Sequence, residues 1–308
     1  MALLEVKDLK VYFPIKAGIM GRTVDYVRAV DGISFSIEEG QTVGLIGESG
    51  SGKSTTGKAI LGLVPLAGGT IYFNGEDITP YIGKNRSSYR RNVQMIFQDA
   101  YSSLNPKKRV LDILAEPIRN FEKLTKGEEL KRIEELISIV GMPKDVLVKY
   151  PHEFSGGQRQ RLSIARALAL KPKLIVADEP VSALDLSIQA QVLNYMKDIQ
   201  EELGIAYLFI SHDLGVVKHM CKTLTIMHNS RFVEVGNRED VYRDPKHIYT
   251  KRLIAAIPDV NPDLRVQNAK NRALIVAEYE KEFNKYYQDG GKVYDLKKIS
   301  DSHFVAMP

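Results

Sequence analysis

The sequence predicts an α/β fold on a mostly parallel sheet, and three observations lead there. The short apolar stretches Thr42–Ile46, Leu174–Ala177 and Ala206–Ile210 have the length and composition of buried strands. Helical patterns run between them, and strands alternating with helices build a largely parallel sheet. A glycine-rich loop, Gly47–Gly52, leaves the first of these strands and opens straight into a helical stretch.

The elements follow in order. Residues 3–13 alternate and end in Val11-Tyr12-Phe13, a strand pattern, and Pro14 to Gly21 is turn-rich. Ile33–Ile37 alternates again and breaks at Gly40. Thr55 to Leu63 reads as the helix after the glycine-rich loop, and Thr70–Gly75 as a hairpin strand with its turn. Leu130, Ile133, Leu136, Ile137 and Val140 recur on one face of an amphipathic helix, with the intervening charges on the wet face. This stretch looks like a helical insertion in the α/β core. Gln158 to Leu170 starts a further helix, stopped by Lys171-Pro172, and Ile188 to Leu203 is helical. Residues 223–227 and 231–235 suggest a closing hairpin. Near Asn261-Pro262-Asp263 the pattern lapses. Residues 262–308 form a Lys- and Tyr-rich tail in which Tyr279, Phe283 and Tyr286 fall at helical spacing, as a docked helix or as a contact for a partner.

Composition narrows the class. The 308 residues, 44% hydrophobic and 26% charged, suit a globular protein with a real core. No apolar run approaches the roughly 18–20 residues that cross a bilayer. The first residues carry no charged-then-apolar leader, so the expected place is the cytosol. The single cysteine, Cys221, excludes an internal disulfide or a Cys-rich metal site and is expected as a small buried hydrophobe. The net charge of +5 is mild and scattered, and by itself assigns no nucleic-acid partner.

Three motifs carry chemistry. Gly47-Glu48-Ser49-Gly50-Ser51-Gly52-Lys53-Ser54, followed by Thr55, matches the P-loop pattern in full, between a strand and a helix. Its glycines let successive N–H groups point at phosphate oxygens, and the following helix adds its positive end. Lys53 is expected to reach the β- and γ-phosphates of ATP, and Ser54 to ligate Mg²⁺. Leu174–Ala177 ends in Asp178-Glu179-Pro180. Two acids after a strand often only lead into a helix. After a P-loop, Asp178 fits the Mg²⁺ position and Glu179 the base that polarises the attacking water. Ser155-Gly156-Gly157-Gln158 opens a helix as a second anion-binding loop, or as a simple glycine cap. One nucleotide does not need two such loops. A head-to-tail pair, each chain's Ser155 loop closing over the other chain's nucleotide, is the physical solution.

With these motifs in order, residues 3–260 resemble the ATP-binding subunits of ATP-binding-cassette (ABC) transporters. The resemblance implies a P-loop NTPase cassette with an N-terminal antiparallel β subdomain, a helical subdomain inserted at about residues 99–165, and a C-terminal extension from 261 to 308. It makes Gln98 the Mg²⁺-sensing Q-loop residue and Ser182–Asp185 the D-loop, with Asp185 at the dimer interface. It makes His212 the switch histidine at the γ-phosphate, and catalytic alongside Lys53 and Glu179. It places an aromatic on adenine: Phe13, although Tyr12 or Tyr26 could serve. Tyr150–Phe154 and Pro245–Leu253 are similar to the oligopeptide/dipeptide importer branch, and within it to F-type subunits of Opp/Ami systems; Ile248 replaces the branch's usual proline. The resemblance implies an ATPase at the cytoplasmic face of the membrane, powering oligopeptide uptake. Its partners are a D-type second ATPase, two permease subunits and, indirectly, an external peptide-binding protein, with no nucleic acid. A different cargo, such as dipeptides or nickel, and a cassette ATPase acting on DNA or ribosomes are the alternatives.

Overall fold

Strands and helices alternate one for one between residues 156 and 228 in the computed structural model, which describes residues 2–18, 21–81, 87–257 and 265–308, the last stretch without the side chains of 265 and 266. The expected boundary near Asn261-Pro262-Asp263 lies outside the described residues. In chain order the first strands are β1 (Leu4–Ala17), β2 (Arg22–Ile37) and β3 (Thr42–Ile46), followed by helix α1 (Lys53–Ile60) and strands β4 (Gly68–Phe73) and β5 (Glu76–Asp77). Helix α2 (Ser87–Asn92) and strand β6 (Val93–Ile96) precede four helices: α3 (Ala100–Ser103), α4 (Val110–Phe121), α5 (Lys126–Ile139) and α6 (Gly156–Leu168). Then come β7 (Leu174–Asp178), α7 (Leu186–Leu203), β8 (Ala206–Ser211), α8 (Leu214–Met220), β9 (Thr223–His228), β10 (Arg231–Asn237), α9 (Arg238–Arg243) and α10 (Ile248–Ala255). The chain closes with α11 (Arg265–Tyr286), β11 (Tyr287–Gln288), β12 (Lys292–Val293), β13 (Leu296–Ser300) and β14 (His303–Ala306).

The chain forms two compact units. One holds residues 1–3, 37–41 and 83–208, and the other residues 4–36, 42–82 and 209–308; β8 passes from the first into the second.

In the first unit β6 and β7 pair in parallel, Ile96 opposite Ala177, and every residue of β7 is buried. Such continuous burial is what an apolar run without alternation requires. α5 starts on a capping box, the Thr125 hydroxyl accepting from Glu128 N and the Glu128 carboxylate from Thr125 N. Ile133, Leu136, Ile137 and Val140 are buried as the periodicity predicts, but Leu130, in the second turn, is 43% exposed. Arg132 ties α5 to the end of α6, donating to the Ala169 carbonyl at 2.7 Å.

In the second unit one sheet has the order β2-β1-β4-β5, with β1–β4 and β4–β5 antiparallel. Asn74 and Gly75, both at positive φ, make the predicted hairpin turn. Pro14–Ala17, read from sequence as turn, continues β1 instead: a ribbon exposed on both faces needs no apolar alternation, so the pattern did not show it. The other strands are mixed in direction. β3 and β9 are parallel, and β9–β10, β10–β14 and β13–β14 are antiparallel. α8 packs so closely on β3 that a Cβ at Gly44 would lie 2.9 Å from Val217 Cγ1. Cys221 is fully buried there, as expected, and burial pushes its thiol pKa up. The tail is more than a helix. β14 adds to β10 with Glu234 opposite Val305, and the fully buried Glu234 carboxylate accepts from the N–H groups of Lys246 and His247 and lies 2.7 Å from His303 Nε2.

Candidate functional site

In the second unit the buried β3 delivers the chain into the glycine loop, and α1 leaves it. Two of its glycines are demanded by close backbone approach. A Cβ at Gly47 would sit 2.2 Å from the Met227 carbonyl oxygen, and one at Gly52, whose φ is 109°, 2.2 Å from that of Ala29. Only a residue without a side chain fits either place. Glu48, Ser49 and Gly50 face solvent. Gly52 caps α1 without a side-chain acceptor for its first-turn N–H groups, which leaves that end suited to an anion. Lys53 is 5% exposed and donates to the Glu48 carbonyl at 2.7 Å. The Ser51 hydroxyl is buried and, among the described residues, has no hydrogen-bond partner. Ser54 and Thr55 are half-buried in the first turn. A tight glycine cradle, a cationic side chain and an orphan hydroxyl fit a polyphosphate.

The same unit carries His212 and the aromatic candidates. His212 is exposed just past β8, where Asp213 N donates to the Ser211 hydroxyl at 2.9 Å and the Asp213 carboxylate caps α8. Tyr12 is committed elsewhere, its hydroxyl 2.5 Å from Asp31 and its ring under the Arg28 guanidinium. Phe13 and Tyr26 are 38% and 52% exposed.

The first unit gathers the acids and the second loop. Asp178 ends β7 and is buried. Glu179 follows at φ 47°, a left-handed conformation that costs about 1 kcal/mol or more outside glycine. Gln98 Nε2 donates to Glu179 Oε2 at 2.7 Å, so the structure brings together two residues 81 positions apart. Parallel pairing explains this, because Gln98 and Glu179 leave neighbouring strands at the same end. The side-chain amide oxygen of Gln98 and the carboxylate of Asp178 are hard-oxygen donors of the kind that suit Mg²⁺. Ser155 caps α6, its hydroxyl accepting from Gln158 N while the Gln158 side chain accepts from Ser155 N. Gly157 is required by α7, since a Cβ there would meet Ile188 Cγ2 at 2.4 Å; one at Gly156 would meet Leu184 Cδ2 at 3.4 Å. The two glycines after Ser155 thus lie against Leu184 and Ile188. Asp185 is exposed at the start of α7 and makes no cap with its side chain, and the neighbouring Leu186 is 82% exposed.

Sequence reasoning missed the residues that hold the glycine loop from behind. Glu48 N donates to the Tyr249 hydroxyl at 3.0 Å, and Arg252 pairs with the Glu48 carboxylate at 2.7 Å. These partners lie some 200 residues away, in the Pro245–Leu253 segment, and nothing in their spacing pointed to the loop.

Comparison with known proteins gives the family. The ABC transporter family matches residues 30–182, and the oligopeptide/dipeptide transporter C-terminal region matches residues 233–294. The oligopeptide transport ATP-binding protein OppF of Lactococcus lactis subsp. lactis is 56% identical over 306 residues, 99% of this chain and 96% of that protein. OppF of Bacillus subtilis is 44% identical over 306 residues, covering 98% and 95%. A dimeric ATP-binding cassette solved in a post-hydrolysis state with ADP and Pi aligns with a TM-score of 0.66 at 25% identity, over 76% of this chain and 98% of that one. The likeness does not stop near residue 260, as the motifs alone suggested, but runs through the tail. The chain therefore belongs to the ABC transporter family, among the OppF-like ATP-binding proteins.

Proposed function

We propose that this chain is the ATP-hydrolysing subunit of an oligopeptide importer, working at the cytoplasmic face of the membrane. The observation that carries the ATPase reading is the cradle at Gly47–Ser54, with Lys53 buried in the first turn of α1 and a buried Ser51 hydroxyl that has no hydrogen-bond partner among the described residues. In this reading the N–H groups of the loop and of Ser54 and Thr55 hold the phosphates, and Lys53 leaves the Glu48 carbonyl to reach them. Ser54, Gln98 and Asp178 are the proposed Mg²⁺ ligands. The ion, when bound, would neutralise charge on the β- and γ-phosphates.

Glu179 is the proposed general base. Gln98 donates a hydrogen bond to its carboxylate, and the Glu179 backbone is left-handed directly after the buried Asp178. His212 and Lys53 stabilise charge on the transferring phosphoryl group, and Phe13 stacks on adenine, with Tyr26 as the other exposed candidate. The Ser155–Gln158 loop closes over the nucleotide of a second ATPase, and Asp185 lies along that contact. The partner is a D-type subunit, so the pair is a heterodimer. Two permease subunits receive the motion, and an external binding protein delivers the peptide. Among the described residues no helix is long and apolar enough to cross a membrane, which fits a subunit docked on separate permeases.

A tagged Glu179→Gln chain, loaded with ATP and recovered from detergent-solubilised native membranes, tests the reading. It should bring down a second cassette ATPase and two peptide-type permeases. Recovery of ribosomes or DNA-bound proteins without a membrane subunit would overturn the transport reading.

A further inference from the structure

The C-terminal part of the second unit holds the glycine loop at one residue, Glu48, through two of its groups, and a third binds Lys53 of the loop itself. The Glu48 N–H donates to the Tyr249 hydroxyl at 3.0 Å, its carboxylate accepts from Arg252 Nη2 at 2.7 Å, and its carbonyl accepts from Lys53 Nζ at 2.7 Å. Glu48 is thus tied to α10 on one side and to the phosphate-binding lysine on the other. Arg252 is itself held between two rings, its guanidinium 5.2 Å from the Tyr249 centroid and 4.3 Å from that of Tyr279 on α11. α11 is fastened to α10 by Arg272 Nε donating to the Ala255 carbonyl at 3.1 Å and by the Lys251–Glu278 pair at 3.6 Å. Behind Tyr249, His228 stacks at 4.0 Å, and its Nδ1 lies 2.8 Å from the Tyr287 hydroxyl. Tyr249 is fully buried, and its hydroxyl accepts from Glu48 N. A solvent-facing Arg–Glu pair alone contributes little. This one is sandwiched by aromatic faces and aligned with a backbone hydrogen bond to the same residue.

We propose that Tyr249 and Arg252 are positioning residues of the phosphate loop: through Glu48 they set where Lys53 rests, and Tyr279 of α11 keeps Arg252 in place. This rests on Gly47–Ser54 being the phosphate loop. Both residues act through Glu48 and need not touch nucleotide. Loosening the loop weakens ground state and transition state alike, so nucleotide affinity falls while turnover at saturation holds.

The test measures ATP affinity of the full-length chain by titration calorimetry, and KM and kcat in the assembled importer. The variants are Tyr249→Phe, Arg252→Ala, Glu48→Ala, the Glu48→Ala/Arg252→Ala double, Tyr279→Phe and Tyr279→Ala. Tyr249→Phe keeps the ring and removes only the acceptor, and should raise Kd and KM roughly three- to tenfold with kcat within about twofold. Arg252→Ala, at a partly exposed side chain, should do the same and carries the test if Tyr249→Phe folds poorly. The double variant should bind no more weakly than the weaker single one, because both act through one residue. Tyr279→Phe should match the wild type and Tyr279→Ala should shift toward Arg252→Ala. Unchanged affinity in Arg252→Ala, additive loss in the double variant, or a fall in kcat equal to that in kcat/KM would overturn the proposal. A Lys53→Ala chain that binds ATP as tightly as wild type would instead overturn the phosphate-loop reading beneath it.

Discussion

Glu179 combines a left-handed backbone, a 2.7 Å bond from Gln98 and a place just past the buried Asp178. Strain of this kind persists where surroundings over-determine it, often at working sites. Glu179→Gln is expected to keep ATP binding and to lower turnover about 100-fold, the scale of general-base loss; single-turnover hydrolysis in the assembled complex checks it, and a near-normal rate rejects the base assignment. The histidines behind the loop make a different kind of prediction. Burial holds His228 at about 4 and His247 at about 3, below the ordinary 6.5, with Arg252 adding to the effect at His228. Between those values and 6.5 the unfolded chain binds protons that the folded chain refuses. Stability is therefore full above about 6.5, falls as the pH drops toward 4 and then 3, and levels off below. At 1.36 kcal/mol per pH unit, His228 alone accounts for on the order of 3 kcal/mol. Urea midpoints measured across this range should show a shallower acid slope in His228→Gln than in the wild type; equal slopes would reject the role.

At the level of elements, what the sequence concealed is the C-terminal strand pair. β13 is exposed along most of its length and carries Lys297 and Lys298, so it reads as polar tail, yet charge on an edge strand is how sheets avoid sticking to one another. β14 is only four residues long and begins with a buried histidine, a weak strand signal. Its meaning comes from β10, where Glu234 is wholly buried and depends on His303 and two backbone N–H groups for partners. Ending the chain before residue 296 removes one of these partners and bares the β10 edge. Losing one partner of a buried carboxylate costs about 1–3 kcal/mol or more. The truncated chain is expected to have a lower melting temperature and more aggregate by light scattering, and an unchanged melting curve would reject this account. Other elements were legible because their periodicity was strong. α5, α6, α7 and the β9–β10 hairpin lie within a few residues of their predicted ranges.

For the whole molecule, the proposed function has one chain supply a phosphate loop and also a Ser155 loop for a second nucleotide. An isolated chain should therefore hydrolyse ATP at least about tenfold more slowly than the chain with its partner, since water-excluded electrostatic stabilisation completed in trans is lost. Phosphate release measured with and without the second ATPase decides this; equal rates would mean that each site is complete in one chain. The sequence by itself determined the α/β class and the loop at Gly47–Ser54. It also supplied Asp178, Glu179, Ser155 and His212 as candidates, because phosphate and metal chemistry demands particular residue types at fixed short spacings. Only the tertiary structure decided that Gln98 bonds Glu179, that Tyr249 and Arg252 hold Glu48, that Gly47 and Gly52 face the carbonyls of Met227 and Ala29, and that the tail closes on β10. The physical reason is range. A turn, a cap or a glycine cradle is a contract among neighbours in sequence, whereas these contacts join residues up to about 200 positions apart and exist only once strands and helices have packed.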